Sequence, residues 1–447
     1  MTNQLDSYPL ITGDEKSEQN PNELHPVRYQ TRKWLSVIIG MASYIFVYFH
    51  RFSTAVLADE MYKDFNVPES QIGILASMYF WPYGLIQPFI GSLADIIEPG
   101  YMIGFANICS SIGTLIISFS KSLTVACFGR FFVGLGCAAI FVPTNKIGVN
   151  WFTAKQFRFF AGAMIGLGGC GSLLSQTPLS LLGKKIGWRM CLQGTSIIGT
   201  FLGICAFIWV KGHPATLGFV GHSPLLPTPN LKNIFIQLFK NLFVMIKILN
   251  FWLLSLFMFF APGVLMVLSS LWGVPYLKDV HNCSSEMASF VQMAISLSLI
   301  VGSPTMPIIA ELTKSRKWTL FAFCGLATAG CVYLALAGDS TPIWAVAVLY
   351  FVIGYGASSC QGTALPLFKE FGDERLAATL VGGGNTGPFI GGGILQIVSS
   401  SIIGTYDHPN DVYPVKAYEI GLWGLSAVCC FLSMICLIFI KEPKIAN

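Results

Sequence analysis

Twelve apolar stretches of about twenty residues recur along the 447-residue chain, and they limit its fold more than any other feature. They lie at roughly 34–58, 71–94, 101–120, 122–144, 158–182, 188–210, 249–277, 285–310, 318–337, 342–367, 375–403 and 416–440. An α-helix rises 1.5 Å per residue, so each run is long enough to cross a hydrocarbon layer of ~30 Å. Strand barrels also satisfy backbone groups in lipid, but their short strands alternate polar and apolar residues, which these runs do not. Composition agrees, with 53% hydrophobic and 11% charged residues, where a soluble domain carries about a quarter charged. The expected fold class is an all-α membrane protein with twelve transmembrane helices.

The net charge of +5 is spread over short connectors and forms no single patch, which argues against a nucleic-acid partner and for a lipid bilayer. If the N-terminus is cytosolic, the tails and even-numbered connectors hold 18 Lys and Arg and the odd-numbered connectors hold 7. Cytoplasmic loops carry the excess of basic residues, so both termini are expected in the cytosol. The thirteen cysteines sit mostly singly within spans and form no CxxC pair. They read as small apolar fillers, and neither a metal site nor a cofactor is expected.

Residues 1–33 are polar and lack the charged start and short apolar core of a cleavable signal, so they read as a disordered cytosolic tail. Within it "DSYPLI" places Asp6, Leu10 and Ile11 in an acidic-x-x-x-Leu-Leu/Ile pattern. That pattern resembles the adaptor-read sorting signals of endosomal and lysosomal membrane proteins; a chance match is the alternative. The longest connector, 211–248, begins with four prolines and continues as the amphipathic "NLKNIFIQLFKNLFVMIKIL". A basic amphipathic helix of this kind lies in the membrane interface. The connector separates an N-terminal six-helix bundle, 34–210, from a C-terminal one, 249–440, with 441–447 as a second cytosolic tail.

An internal repeat supports the division. "RFFVGLGCAA" from Arg130 lies opposite "YFVIGYGASS" from Tyr350, and the pairs Gly134 and Gly354, Gly136 and Gly356, Gly171 and Gly391, Gln176 and Gln396 share one offset of 220 residues. A constant offset across two helices is the mark of a duplicated unit. Six plus six helices with a long central connector resemble the major facilitator superfamily. That resemblance implies two pseudo-symmetric bundles around a central cavity that opens to either side of the membrane in turn.

Two arginines lie inside spans. Arg51 is eight residues from Asp59 and Arg130 nine from Lys121, placing both roughly 12–14 Å deep from the same face. A guanidinium at that depth must face protein or a watery cavity. One reading is a cationic site for the anionic group of a solute, because the planar fork of arginine donates two parallel hydrogen bonds to carboxylate or phosphate. The other is a strut that bonds backbone carbonyls. For Arg130 this has support from "GRFFVGLGCAA", which resembles the superfamily's fourth-helix R-x-x-x-G-x-G motif. "YFHRFSTAV" resembles the first helix of organic-phosphate exchangers, with Tyr48 and Arg51 matching their Tyr-x-x-Arg arrangement; the second arginine those exchangers carry in helix seven is absent here. "SQTPLSLLGKKIGWR" resembles amino-acid transporters of intracellular bacteria and related lysosomal amino-acid or dipeptide carriers.

Polar residues within spans complete the candidate binding set: Tyr83, Gln176, Gln361 and Asn385, with Trp272 and Tyr276, four residues apart, as the expected wall from the second half. No Asp or Glu occupies the middle of a span. Uniport or exchange is therefore favoured over proton coupling, with His50 the remaining candidate proton carrier and simple hydrogen bonding its other role. Gly91 and Asp95 match part of the superfamily's cytosolic signature and are the expected gate. Asn282 opens the glycosylation sequon Asn282-Cys283-Ser284 on the non-cytosolic side.

The combined expectation is a monomeric secondary carrier, not an enzyme, in an endosomal or lysosomal membrane, with the plasma membrane as the other location. It moves a small polar organic solute bearing an anionic group by alternating access, with amino acids or short peptides first. Organic-phosphate exchange and a non-transporting sensor with a carrier fold are the alternatives.

Overall fold

The computed structural model describes residues 25–68, 71–222, 231–358, 360–372, 374–407 and 412–441. The first bundle comprises α1 (Pro26–Phe65), α2 (Ile72–Ile96), α3 (Pro99–Phe119), α4 (Leu123–Ala138, continued by Phe141–Trp151), α5 (Ala154–Leu174, continued by Thr177–Ile186) and α6 (Trp188–Trp209). The second comprises α7 (Leu249–Asp279), α8 (Ser285–Leu312), α9 (Arg316–Ala337), α10 (Ile343–Ser358, then Cys360–Lys369), α11 (Glu374–Ile403) and α12 (Val415–Phe439). Eleven helical runs among the described residues are long and apolar enough to cross a membrane. The twelfth is α2, whose Tyr79, Tyr83, Gln87, Pro82 and Pro88 dilute its apolar character.

One boundary is corrected. Residues 26–33 were expected in the tail, but Pro26 starts α1, as suits a residue whose missing N–H is no loss in a first helical turn. The central connector holds a short turn at Pro214–Leu217 and a helix at Leu231–Met245. Leu238 and Met245 of that helix are buried, while Ile236, Phe239 and Phe243 are exposed, as befits a helix lying at an interface.

Polarity is arranged inside out relative to a soluble protein. Phe105, Phe119, Ile197, Leu336 and Trp344 stand on the perimeter, and Asn107, Arg130, Gln292 and Gln396 are buried. Such a perimeter requires hydrocarbon around it, and the buried polar groups bond within the bundles, as Asn107 does to Ser43 Oγ at 2.9 Å.

The duplicated glycines mark equivalent close approaches in the two halves. A Cβ on Gly136 of α4 would press into the Ala106 carbonyl of α3, and one on Gly356 of α10 into the Phe323 carbonyl of α9. Gly171 of α5 sits against the Ile45 carbonyl of α1, and Gly391 of α11 against the Phe259 carbonyl of α7. Small residues let backbones meet at this range in membranes. The second half departs from the first in α7, where a π-helical segment, Leu268–Trp272, interrupts the α-helix. Carbonyls at this irregularity are capped from neighbouring helices: Gln292 donates to the Leu268 carbonyl at 2.9 Å and Gln396 to the Met266 carbonyl at 3.1 Å.

Candidate functional site

Arg51 projects from α1 into the space between the two bundles. It is buried, and its guanidinium carbon lies 4.4 Å from the centre of the Tyr48 ring, 5.1 Å from that of Phe389 and 5.4 Å from that of Tyr83. Tyr48 is three residues earlier on the same helical face, and Phe389 comes from the opposite bundle on α11. Each desolvated ring face attracts the cation by up to about 2 kcal/mol. The Arg51 Nε has no hydrogen-bond partner, and no described carboxylate pairs with the group. The result is a buried cation enclosed by aromatic faces with donor capacity left over.

A cavity of about 70 Å³ adjoins it, lined from both halves by Tyr44, Tyr48, Arg51, Tyr83, Gln361 and Asn385 among others. Asn385 donates to the Gln87 Oε1 across the halves at 3.0 Å, and Tyr83 stacks on Phe389 with centroids 3.9 Å apart. On α1 the lining residues Tyr44 and Tyr48 precede Arg51, so the cavity extends from the guanidinium toward the end that carries the termini. The opposite end is sealed between α5 and α8 by Ser172 with Ser296 at 2.5 Å, Thr177 with Met293, and the Lys184–Glu286 ion pair. A liquid water occupies ≈ 30 Å³ and ligand sites run to several hundred. The space therefore corresponds to a contracted site rather than one shaped around a whole solute.

Arg130 has a different role. Its Nη1 donates to the His50 carbonyl at 2.7 Å and its Nη2 to the Arg51 carbonyl at 3.3 Å, with the guanidinium 4.8 Å from the Tyr79 ring centre. It ties α4 to the turn of α1 that presents Arg51. The expected pair of cations facing one anion is not formed, because the Arg130 guanidinium is turned onto the α1 backbone and does not line the cavity. His50 does not line it either: one residue from Arg51 is 100° around a helix. Its ring shares a separate space of about 10 Å³ within the first bundle with Thr54, Thr114 and Arg130.

Among the other expected residues, Tyr48, Tyr83, Gln361 and Asn385 meet at the Arg51 cavity. Gln176 is buried at the break in α5, away from that cavity. Trp272 and Tyr276 do not form its wall either. Trp272 ends the π segment and Tyr276 follows it, and both are fully buried against Tyr413, Tyr418 and Trp423, where they close the second bundle at the end away from the termini. Gly91 has open space where a Cβ would stand, and Asp95 lies in the last turn of α2, its side chain outside the described atoms. Asn282 is exposed, with φ of 52°, in the loop between α7 and α8. Asp6, Leu10 and Ile11 lie outside the described residues. Sequence reasoning missed Tyr44 and Phe389; the signals were spacings of seven residues from Arg51 and four from Asn385, which place each on the face of a residue already chosen.

Two six-helix bundles with a polar cavity between them define a membrane protein of the two-bundle type. The chain belongs to the Major Facilitator Superfamily, whose family model matches residues 40–396. It is an integral, multi-pass membrane protein. Among curated relatives it is similar to the probable sulfoacetate transporter SauU of Cupriavidus necator, 21% identical over 36% of this chain and 37% of the relative. The lysosomal dipeptide transporter MFSD1 of Homo sapiens is 25% identical over 38% of this chain and 36% of the relative. The phosphoglycerate transporter protein of Salmonella typhimurium is 22% identical over 70% and 71%. The match to the first two thus spans little more than a third of their length. Among solved structures, a bacterial homolog to the human lysosomal transporter Spinster, inward-facing and unoccupied, has a TM-score of 0.69 at 18% identity, covering 92% of this chain and 96% of that one. The nucleoside transporter NupG has a TM-score of 0.69 at 15% identity, covering 91% and 99%. Both share the fold.

Proposed function

We propose that the chain is a secondary carrier of small organic anions, working by alternating access, with Arg51 as the group that holds the anion. The observation that carries this reading is a buried guanidinium, unpaired with any described carboxylate, at the cavity between the halves. A carboxylate can take its two parallel donors, while Gln361, Asn385 and the tyrosine hydroxyls meet polar groups on the rest of the solute. Because the space is contracted, entry of a solute requires the halves to part at the termini end. Parting at the other end must break the α5–α8 seal. Both termini are read as cytosolic, so the cavity extends toward the cytosol.

Within this class, amino acids and short peptides remain the first reading, supported by the resemblance of "SQTPLSLLGKKIGWR" and by the similarity to a dipeptide transporter. Their ammonium group would meet ring faces and amide oxygens, since no described lining side chain is an Asp or Glu. Organic phosphates are the second reading, favoured by the relative matched over most of the chain, which is a phosphoglycerate transporter. The presence of one cation rather than two at the cavity supports a singly charged carboxylate over a doubly charged phosphate. The location is read as endosomal or lysosomal from "DSYPLI", with the same dipeptide relative in support.

The test is flux. Protein reconstituted in liposomes is expected to take up radiolabelled dipeptide or amino acid, and the Arg51→Gln variant to lose that uptake while remaining folded. Uptake of organic phosphates alone would move the assignment to exchange, and binding without flux would make the chain a sensor. Exchange of Leu10 and Ile11 for alanine is expected to move the protein to the cell surface; an unchanged distribution would remove the sorting reading.

A further inference from the structure

A second cavity lies away from the solute site. A groove of about 650 Å³ runs between the first turns of α1 and α5, lined by Lys33, Trp34, Val37 and Met41 on one side and by Phe159 and Ala163 on the other. Its walls are apolar apart from Gln30, Gln156 and Lys33, of which Lys33 is 94% buried, its residue exposure being 6%. The Lys33 ammonium is 4.1 Å from the centre of the Phe152 ring, and no described carboxylate pairs with it. A buried ammonium without a counter-ion is unfavourable. An anion from outside the described residues would neutralise it.

Depth and direction identify the environment that supplies this anion. Lys33 precedes Asp59 by 26 residues, roughly 39 Å of helix, which places it beyond a ~30 Å hydrocarbon core and within the ~40–45 Å that includes headgroups. Val37 and Met41 are one and two turns deeper, at acyl-chain level. On α5, Ser172 faces α8, and Ala163 is nine residues away, two and a half turns, so it points to the opposite side. Phe159 is 82% exposed on that side. With Trp34 and Phe159 both exposed at its rim, the groove opens onto the surrounding lipid.

We infer that this groove holds one anionic phospholipid of the leaflet at the termini end, its phosphate on Lys33 and an acyl chain along Trp34, Met41 and Phe159. A soluble phosphate would use the lysine but not the apolar trough below it, and a zwitterionic lipid would fill the trough but bring no net charge to the lysine. The other candidate occupant is the chain's own acidic residues 1–24.

The full-length protein, purified in detergent and offered equal amounts of phosphatidylglycerol and phosphatidylcholine, is examined by native mass spectrometry, with thermal unfolding as the check on folding. The wild type is expected to keep one phosphatidylglycerol in preference. Lys33→Gln should reduce that preference about five-fold, the effect of one basic residue at an anionic surface. Ala163→Trp, which fills the trough and leaves the lysine in place, should reduce retention of both lipids. Equal retention of the two lipids by the wild type, or two folded variants that bind as the wild type does, would overturn the assignment. So would a rise in lipid retention on removing residues 1–24, which would give the groove to the tail.

Discussion

The two halves of the molecule repeat each other in packing but not in chemistry. At an offset of 220 residues the counterpart of Arg130 is Tyr350, whose hydroxyl donates to the Gly273 carbonyl of α7 at 3.0 Å, much as Arg130 donates to the His50 carbonyl of α1. A neutral tyrosine thus performs in the second half the fastening that a cation performs in the first. The counterpart of Arg51 is Leu271, buried in an apolar setting. Fastening the fourth helix of a bundle to its first is common to both halves and does not require charge. Presenting a guanidinium to the centre belongs to the first half alone, and the second half answers it with Gln361, Asn385 and Phe389.

The largest effect is expected where the halves are most alike. Replacing Gly171 or Gly391 with Leu forces a side chain into a backbone carbonyl that has no room to yield, and each variant should lose 3 kcal/mol or more, at or beyond the upper end of the ~1–3 kcal/mol typical of overpacking. Denaturation in detergent would show this, and a wild-type midpoint for either variant would break the symmetry of the packing. Next come the two struts. Arg130→Ala removes two charge-assisted bonds and should cost about 3 kcal/mol, whereas Tyr350→Phe removes one neutral bond and should cost about 1 kcal/mol. Equal losses would mean that the charge of Arg130 adds nothing to its role as a strut. The smallest effect is the bond between Gln87 and Asn385, for which a double-mutant cycle should give a coupling of about 1 kcal/mol. A coupling of zero would remove this contact from the set that joins the bundles.

Much of the fold was legible because it rests on length, apolarity and repetition. Twelve runs, one offset of 220 residues and a long connector were enough to define two bundles, and the glycines placed by that offset lie at equivalent close contacts. The site was legible only in part. Arg51, Tyr48 and Tyr83 were found because polar groups within an apolar helix are conspicuous. Depth along a helix says nothing about the direction in which a side chain points, however, and Arg130 and His50 share the depth of Arg51 while facing the interior of their own bundle. Trp272 and Tyr276 were misplaced for another reason. The π segment at Leu268–Trp272 shifts the phase of α7, and carbonyls there are bonded by Gln292 and Gln396 from other helices, which the apolar periodicity of α7 does not report. Phe389 escaped notice because an apolar ring in an apolar span carries no signal until a cation is seen beside it.

The central claim is that Arg51, and not Arg130, holds the anionic group of the solute. It is tested most directly by ligand-induced thermal stabilisation of the purified protein, measured for the wild type, Arg51→Gln and Arg130→Gln against amino acids, neutral and cationic dipeptides, and sugar or glycerol phosphates. Only a ligand that prefers the folded state raises the midpoint. The account predicts that a carboxylate-bearing ligand stabilises the wild type, that Arg51→Gln abolishes the shift, and that Arg130→Gln, starting from a lower midpoint, retains it. A shift that survives in Arg51→Gln and disappears in Arg130→Gln would contradict the account and transfer the site to the interior of the first bundle.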